Sequence, residues 1–177
     1  MPGNKLLANL AGKPVLRHVV EAALASQASP VIVVTGHAAQ PVRAALHGLD
    51  IAFIENPDFA IGLSESLKCG VRNAGTCDGV LVLLGDMPYV LPSLMNDLIQ
   101  ALDPSNGRSI CVPLRNGRRG NPVLFARALF PELLALEGDA GAKRIIARRE
   151  DVVCEVAASD DGVLIDIDTQ EDLKAHE

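Results

Sequence analysis

The sequence predicts one α/β domain across residues 1–177, built on a mostly parallel sheet with an antiparallel hairpin in its second half. Three observations lead there. Helical stripes alternate along the chain with short apolar runs, the pattern of a sheet covered by helices. The run Val80-Leu81-Val82-Leu83-Leu84 has no polar alternation, so it suits a strand buried on both faces. The basic, glycine-containing stretch Arg115-Asn116-Gly117-Arg118-Arg119-Gly120-Asn121 lies between two strand-like segments, as a hairpin turn does.

In chain order, residues 14–27 carry apolar positions at Val15, Leu16, Val19, Val20, Ala23 and Leu24, a helical stripe with Pro14 near its first turn. Residues 31–34 read as a short buried strand ending at Thr35-Gly36. Residues 41–46 read as a helix, with Gly48 near its stop. Residues 51–54 form another strand, followed by the turn Glu55-Asn56-Pro57-Asp58. A helix over 63–71 precedes the strand at 80–84, and a helix over 91–102 follows it, opened by Pro92 and Ser93. The loop 103–107 leads to strands at 109–114 and 122–125. Helices at 128–136 and 140–149, strands at 152–156 and 163–167, and a short terminal helix complete the chain.

Hydrophobic residues make up 49% and charged residues 21%, a globular rather than a disordered balance. A net charge of −6 disfavours a non-specific nucleic-acid binder. No apolar run approaches the length of a membrane span, and the interrupted start does not read as a signal peptide, so the expected location is cytoplasmic. Cys69, Cys77, Cys111 and Cys154 contain no C-x-x-C pair, and three of them sit in apolar surroundings, so buried free thiols are expected. The four histidines show no metal-binding spacing, and only His37 falls near a candidate site.

The strand at 80–84 ends in Gly85-Asp86-Met87-Pro88. A carboxylate directly after a buried strand stands at the carboxyl end of the sheet, where open α/β folds hold their ligands. Asp86 is therefore the first candidate. Capping of the next helix is the plainer role, but Pro88, Val90 and Leu91 intervene before that helix begins.

Taken in order, NKLLANLAGKPVLRHVV, VIVVTGH, ENPDFAIGLSESLKCGV, LLGDMPYV, VPLRNGRRGNPVLF, GDAGAK and LIDIDTQEDL resemble the molybdenum cofactor cytidylyltransferases, a branch of the MobA-like nucleotidyltransferases. The resemblance runs from Met1 to about Leu173. It implies a Rossmann-like three-layer α/β/α fold of the nucleotide-diphospho-sugar transferase type. It also implies transfer of a nucleotide, CMP from CTP in this branch, to a pterin phosphate, with Mg²⁺ as cofactor and pyrophosphate released. A molybdoenzyme receiving the finished cofactor is the implied macromolecular partner, with no role for nucleic acid or membrane. Such chemistry needs no general base, because the attacking phosphate oxygen is already a nucleophile. It needs alignment and neutralisation of charge on the leaving group.

Residue by residue, Asp86 in GDMP matches the metal-binding aspartate of that family. Asp168 in DIDT is the expected second metal ligand and Asp166 the alternative, although both could be solvated strand-end acids. Lys5 matches a lysine that contacts the nucleotide phosphates, and Gly3 belongs to the same approach. Gly36 and the turn Gly62, Ser64, Ser66 match the segments around the base, with helix capping by Ser64 as the plainer explanation. Arg115, Arg118, Arg119 and Asn121 lie where the family meets the acceptor phosphate. Gly120-Asn121-Pro122 stands where relatives have Gly-His-Pro. Three readings follow: a cytidylyltransferase, a related guanylyl- or other NTP transferase, and a non-catalytic maturation partner of a molybdoenzyme.

Relatives open with a strand and a loop of the type LAAGxSxRMG, and this sequence joins that pattern at its last Met, as Met1-Pro2-Gly3. In doubly wound sheets the first strand lies centrally, between the segments that correspond here to 31–34 and 80–84. Both are apolar on each face, and each buried backbone group left unpaired costs about 1–3 kcal/mol. The expectation is a strand and a glycine-rich loop ahead of Met1, with weak NTP binding in their absence. Residues 31–34 and 80–84 should then either flank a gap or close onto each other.

Overall fold

The structure, a computed structural model, describes residues 4–138 and 141–175. A 3₁₀ turn at Lys5–Leu7 is capped by Asn4, whose Oδ1 accepts the Leu6 N–H. The short antiparallel pair β1 (Asn9–Leu10) and β2 (Lys13–Pro14) leads into α1 (Val15–Leu24). The chain continues through β3 (Ile32–Thr35), α2 (Ala39–Ala45), β4 (Ala52–Glu55), α3 (Leu63–Arg72), β5 (Gly79–Val82) and α4 (Pro92–Ala101). Next come β6 (Ile110–Arg115), β7 (Arg118–Arg119), β8 (Val123–Ala126), α5 (Phe130–Leu134), α6 (Lys143–Arg148), β9 (Val153–Ala157) and α7 (Gln170–Ala175).

The apolar stripes dictate the layers. Along β5, Val80 and Val82 join one core, with Phe125, Ile110, Val112, Leu129, Leu133 and Ile145, while Leu81 faces the other. That second core holds Leu94, Met95 and Leu98 of α4 with Cys111 and Leu124. Full burial of each such side chain contributes about 1.5–3 kcal/mol, so the two faces of this sheet carry much of the fold's stability. α4 begins where Pro92 stands in its first turn, and its buried positions repeat at helical spacing.

The three-layer α/β class is the one expected, but strand pairing is more mixed. β3 and β4 pair in parallel, Ile32 opposite Ala52 through Thr35 opposite Glu55. β8 inserts antiparallel between β5 and β6, β7 turns back on the end of β6, and β9 returns parallel along its other edge. β3 and β5 belong to separate sheets and do not pair with each other, the outcome expected of strands that flank a gap. All four residues of β5 are accordingly only partly buried, although both faces are covered. No helix among the described residues is long and apolar enough to cross a membrane.

Two expectations need correction. Residues 163–167 are not a strand: Asp161–Leu164 forms a 3₁₀ turn and the chain then runs extended without a ladder. The cause is Gly162, which is pressed so closely on the Tyr89 carbonyl that a Cβ there would collide with it. Asp160 Oδ1 accepts the Gly162 N–H at 2.8 Å, which fixes the turn. The cysteines are all free, as expected, but only Cys111 is fully buried. Burial first, and then contact with Cys154, push the Cys111 thiol up to about 12. The helix expected over 140–149 is seen from Lys143 to Arg148.

Gly162→Ala should lower stability by about 1–3 kcal/mol, the usual cost of overpacking, because the obstruction is backbone and cannot rotate away. Urea or thermal denaturation of the variant measures this, and an unchanged midpoint would mean that the close approach carries no weight.

Candidate active site

Three distant segments meet at the carboxyl end of β5. The 3₁₀ turn at Lys5–Leu7 lies against that end, with Leu6 Cδ2 3.4 Å from where a Cβ on Gly85 would stand. Asp86 follows Gly85, and its carbonyl accepts the Ile167 N–H at 2.8 Å. That bond draws the extended chain past the loop and brings Asp168 alongside. Asp168 is itself set by the start of α7, where Asp172 Oδ2 accepts the N–H groups of Asp168 and Thr169 at 3.0 and 2.7 Å. Thr169 Oγ1 accepts the Asp172 N–H in return, a reciprocal cap.

The Lys5 ammonium donates to Asp86 Oδ2 at 2.6 Å and to Asp168 Oδ1 at 2.5 Å. The three side chains are 36%, 19% and 58% exposed, so the cluster lies in a partly sheltered mouth. Burial works to lower the Lys5 pKa, but the hydrogen bonds to Asp168 and Asp86 and their charges outweigh it and raise it above 10.5. Two carboxylates on one ammonium leave the cluster at a formal charge of −1. Asp86 Oδ1 is buried and has no hydrogen-bond partner among the described residues. A buried carboxylate oxygen left without a donor is the kind of atom a cation satisfies.

Among the described residues no group of three or more His, Cys, Asp or Glu is placed to hold a metal. Two carboxylates nevertheless suit Mg²⁺, which keeps several waters and takes further oxygens from substrate phosphates. Asp166, the alternative ligand, is exposed and makes no ion pair among the described residues, while Asp168 is in the cluster.

The remaining candidates form two further groups. Gly36, just past β3, packs on Phe59, whose Cβ lies 2.7 Å from where a Cβ on Gly36 would stand. Gly62 supplies the turn into α3 at φ +143°, a conformation that favours glycine. Ser64 does not cap α3; its Oγ is buried without a partner. Its N–H donates to the Gly138 carbonyl, and the Glu65 N–H donates to the Gly62 carbonyl, so the helix start is partly satisfied internally. Ser66 Oγ accepts from Asn56 Nδ2 at 3.1 Å. Asn56 is buried, and its Oδ1 also accepts the Asp58 N–H, which ties the turn after β4 to α3. The sequence reading missed this residue as a site-builder; an asparagine before proline at a strand end was the available signal.

The basic loop is held mainly by its own acids. Arg115 Nε donates to Asp161 Oδ1 at 2.7 Å, and Arg119 bonds both Glu150 oxygens and Glu155 at 2.6–2.9 Å. Arg118 is exposed and unpaired among the described residues. Asn121 lies at the root of the loop, its N–H donating to the Val163 carbonyl at 3.0 Å. The structure therefore brings Lys5, Asp86 and Asp168 together, while Arg115 and Arg119 pair with acids on and beside β9. Gly3 lies outside the described residues.

A layered α/β fold with a lysine and two acids gathered at the end of β5 fits the nucleotidyltransferase class. The chain belongs to the family described as the MobA-like NTP transferase domain, whose model matches residues 1–152. It is 31% identical over 182 residues to the purine catabolism protein PucB of Bacillus subtilis, covering 97% of this chain and 87% of that protein. It is 37% identical over 112 residues to the bifunctional protein GlmU of Bordetella parapertussis, covering 61% of this chain but only 24% of GlmU. The solved structure of a nucleotidyl transferase from Methanothermobacter thermautotroptrophicus superposes with a TM-score of 0.84 at 29% identity, covering 98% of this chain and 83% of that one. Rv0371C of Mycobacterium tuberculosis in complex with manganese gives 0.77 at 27% identity, covering 97% and 90%.

The raised Lys5 pKa has a defined sign. Its contribution to stability is complete below the ordinary lysine value of 10.5 and is lost as pH rises through the higher folded value. Urea midpoints measured from pH 8 to about pH 12 should therefore fall more steeply in the parent protein than in Lys5→Met. Parallel curves would show that the ammonium adds nothing.

Proposed function

We propose that this protein transfers CMP from CTP to the phosphate of molybdopterin or a related pterin, releasing pyrophosphate. The observation that carries the reading is the Lys5–Asp86–Asp168 cluster with its orphaned buried oxygen at the carboxyl end of β5. Membership of the MobA-like NTP transferase family and likeness to a solved nucleotidyl transferase over 98% of the chain support the reaction class.

In the reaction an acceptor phosphate oxygen attacks the α-phosphorus of the NTP, and the bond from that phosphorus to the β-phosphate oxygen breaks. The electron pair leaves with pyrophosphate. Asp86 and Asp168 are the residues that would hold Mg²⁺, which when bound supplies charge neutralisation to the phosphates. Lys5 adds a fixed positive charge beside them, fully protonated at neutral pH like any lysine whose pKa is not strongly lowered. Gly36, Gly62, Ser64 and Ser66 frame the nucleotide side. Arg118, exposed at the hairpin tip, is the arginine free to meet the acceptor phosphate, with Arg115, Arg119 and Asn121 at the base of the same loop. A cytoplasmic location fits a substrate pair of this kind. A guanylyl or other NTP transferase is the alternative within the same class.

Asp86→Asn should keep the fold and lower metal-dependent turnover roughly a hundredfold or more, with Asp168→Asn milder. Pyrophosphate release with CTP, GTP and ATP in turn, with Mg²⁺ and molybdopterin, measures both points. Unchanged turnover in Asp86→Asn would remove the metal assignment, and a preference for GTP or ATP would replace CTP.

A further inference from the structure

Two of the cysteines meet across a pair of strands. β6 and β9 run parallel, and their register sets Cys111 directly opposite Cys154. Partners at one rung point to the same face of a sheet, and neighbouring strands lie about 4.8 Å apart. That spacing falls inside the roughly 4.4–6.8 Å between Cα atoms that a disulfide spans. Both side chains accordingly belong to the core beneath α4, Cys111 fully buried and Cys154 partly so. The two sulfurs are close enough for Cys154 to act on the Cys111 thiol through a side-chain hydrogen bond.

The other two cysteines are placed differently. Cys69 lies in α3 and donates to the Glu55 carbonyl at 3.9 Å, and Cys77 stands in the loop ahead of β5. Access also divides the facing pair. Among the described residues β9 pairs only with β6, so its outer edge is open. Cys154, partly exposed on that strand, is the thiol a solute reaches, while Cys111 has no exposed surface of its own. Neither sulfur belongs to the Lys5–Asp86–Asp168 cluster.

We propose that Cys111 and Cys154 form a site of reversible oxidation, closing into a disulfide that fastens β9 to β6. The inference stands apart from the reading of the reaction. The oxidant is a small disulfide, RSSR. The Cys154 sulfur gives its proton to solvent and attacks one sulfur of RSSR; a Cys154–SR bond forms, and RS⁻ departs and takes up a proton. The Cys111 sulfur then attacks the Cys154 sulfur, the bond to SR breaks, and the second RS⁻ leaves with the Cys111 proton. Two electrons pass from the cysteine pair to RSSR, which is reduced to two RSH. Burial pushes the Cys111 thiol up to about 12, so the second displacement is the slower one. The bridge would reinforce a join already present, since Ala158, just past β9, donates its N–H to the Leu114 carbonyl at 2.9 Å. From there the chain runs through the turn at Asp161 to Asp168, so the bridge would anchor the strand that leads into the charged cluster.

The test treats the folded parent protein and the Cys69→Ser, Cys77→Ser double variant, in which only the facing pair can react, with oxidised glutathione. Intact mass, thiol titration and non-reducing peptide mapping follow the products. The expected course is a glutathione adduct on Cys154 first, then its loss as the Cys111 and Cys154 peptides become linked. The linked form should melt about 5–10 °C above the reduced form, and dithiothreitol should return it to the lower midpoint. Cys154→Ser, altered at a partly exposed position, should form no bridge and keep one midpoint with or without oxidant. It serves as the control even where Cys111→Ser does not fold. An adduct on Cys154 that never resolves, or a bridge that forms only in urea, would overturn the pair as a redox site. A bridged form that melts at or below the reduced one would overturn the fastening of β9.

Discussion

The Lys5 ammonium is the tie on which the site depends. It joins residues 81 and 163 positions away in the chain, and it adds to the backbone bond from Ile167 to Asp86 that already draws two of these segments together. Two carboxylates brought together in a partly sheltered mouth repel each other. A cation between them removes that conflict, which is why acids from two elements can share the place. The compensation is incomplete, since two negative charges meet one positive and Asp86 Oδ1 has no donor. The cluster thus keeps a formal charge of −1.

That tie is reached only because the chain between β9 and α7 is clamped. Gly162 lies on the Tyr89 carbonyl, Gly120 lies on the Val163 carbonyl, and neither place admits a Cβ. Between them the segment is pinned by single hydrogen bonds, Asn121 to Val163 and Ile167 to Asp86, instead of a ladder. The ion pairs of Arg115 and Arg119 fasten the hairpin to the same region. Exposed pairs of this kind contribute at most about 1 kcal/mol each, so their role is mainly to set where the loop lies.

How much of this could be read beforehand follows from which forces are local. β5 and its closing Asp86 were legible, because an unbroken apolar run and a carboxylate beyond it are properties of a few adjacent residues. The helices at 15–24, 63–72 and 92–101 were legible from spacing for the same reason. The segment 163–167 was not. Its alternation of Val163, Ile165 and Ile167 with Leu164 and Asp166 imitates a strand, while the close approach that forbids one involves Tyr89, far away in sequence. Ser64 shows the converse case: the sequence offers a capping residue at a helix start, but Gly62 takes the cap position and the Ser64 hydroxyl is turned into the interior. The acid partners of the hairpin arginines were also invisible, since Glu150, Glu155 and Asp161 become neighbours only when β9 pairs with β6.

The division of the strands gives the site its layout. The β3–β4 pair carries Gly36 and, through the turn after β4, Asn56, Phe59 and the start of α3. The β5 side carries Asp86 and, through Ile167, Asp168. Among the described residues β3 and β5 share no ladder, and packing of side chains and the turn at Lys5–Leu7 link the two sides. In that turn consecutive residues serve different partners: Lys5 reaches the acids beyond β5, while Leu6 and Leu7 pack with Val33 and Ala38.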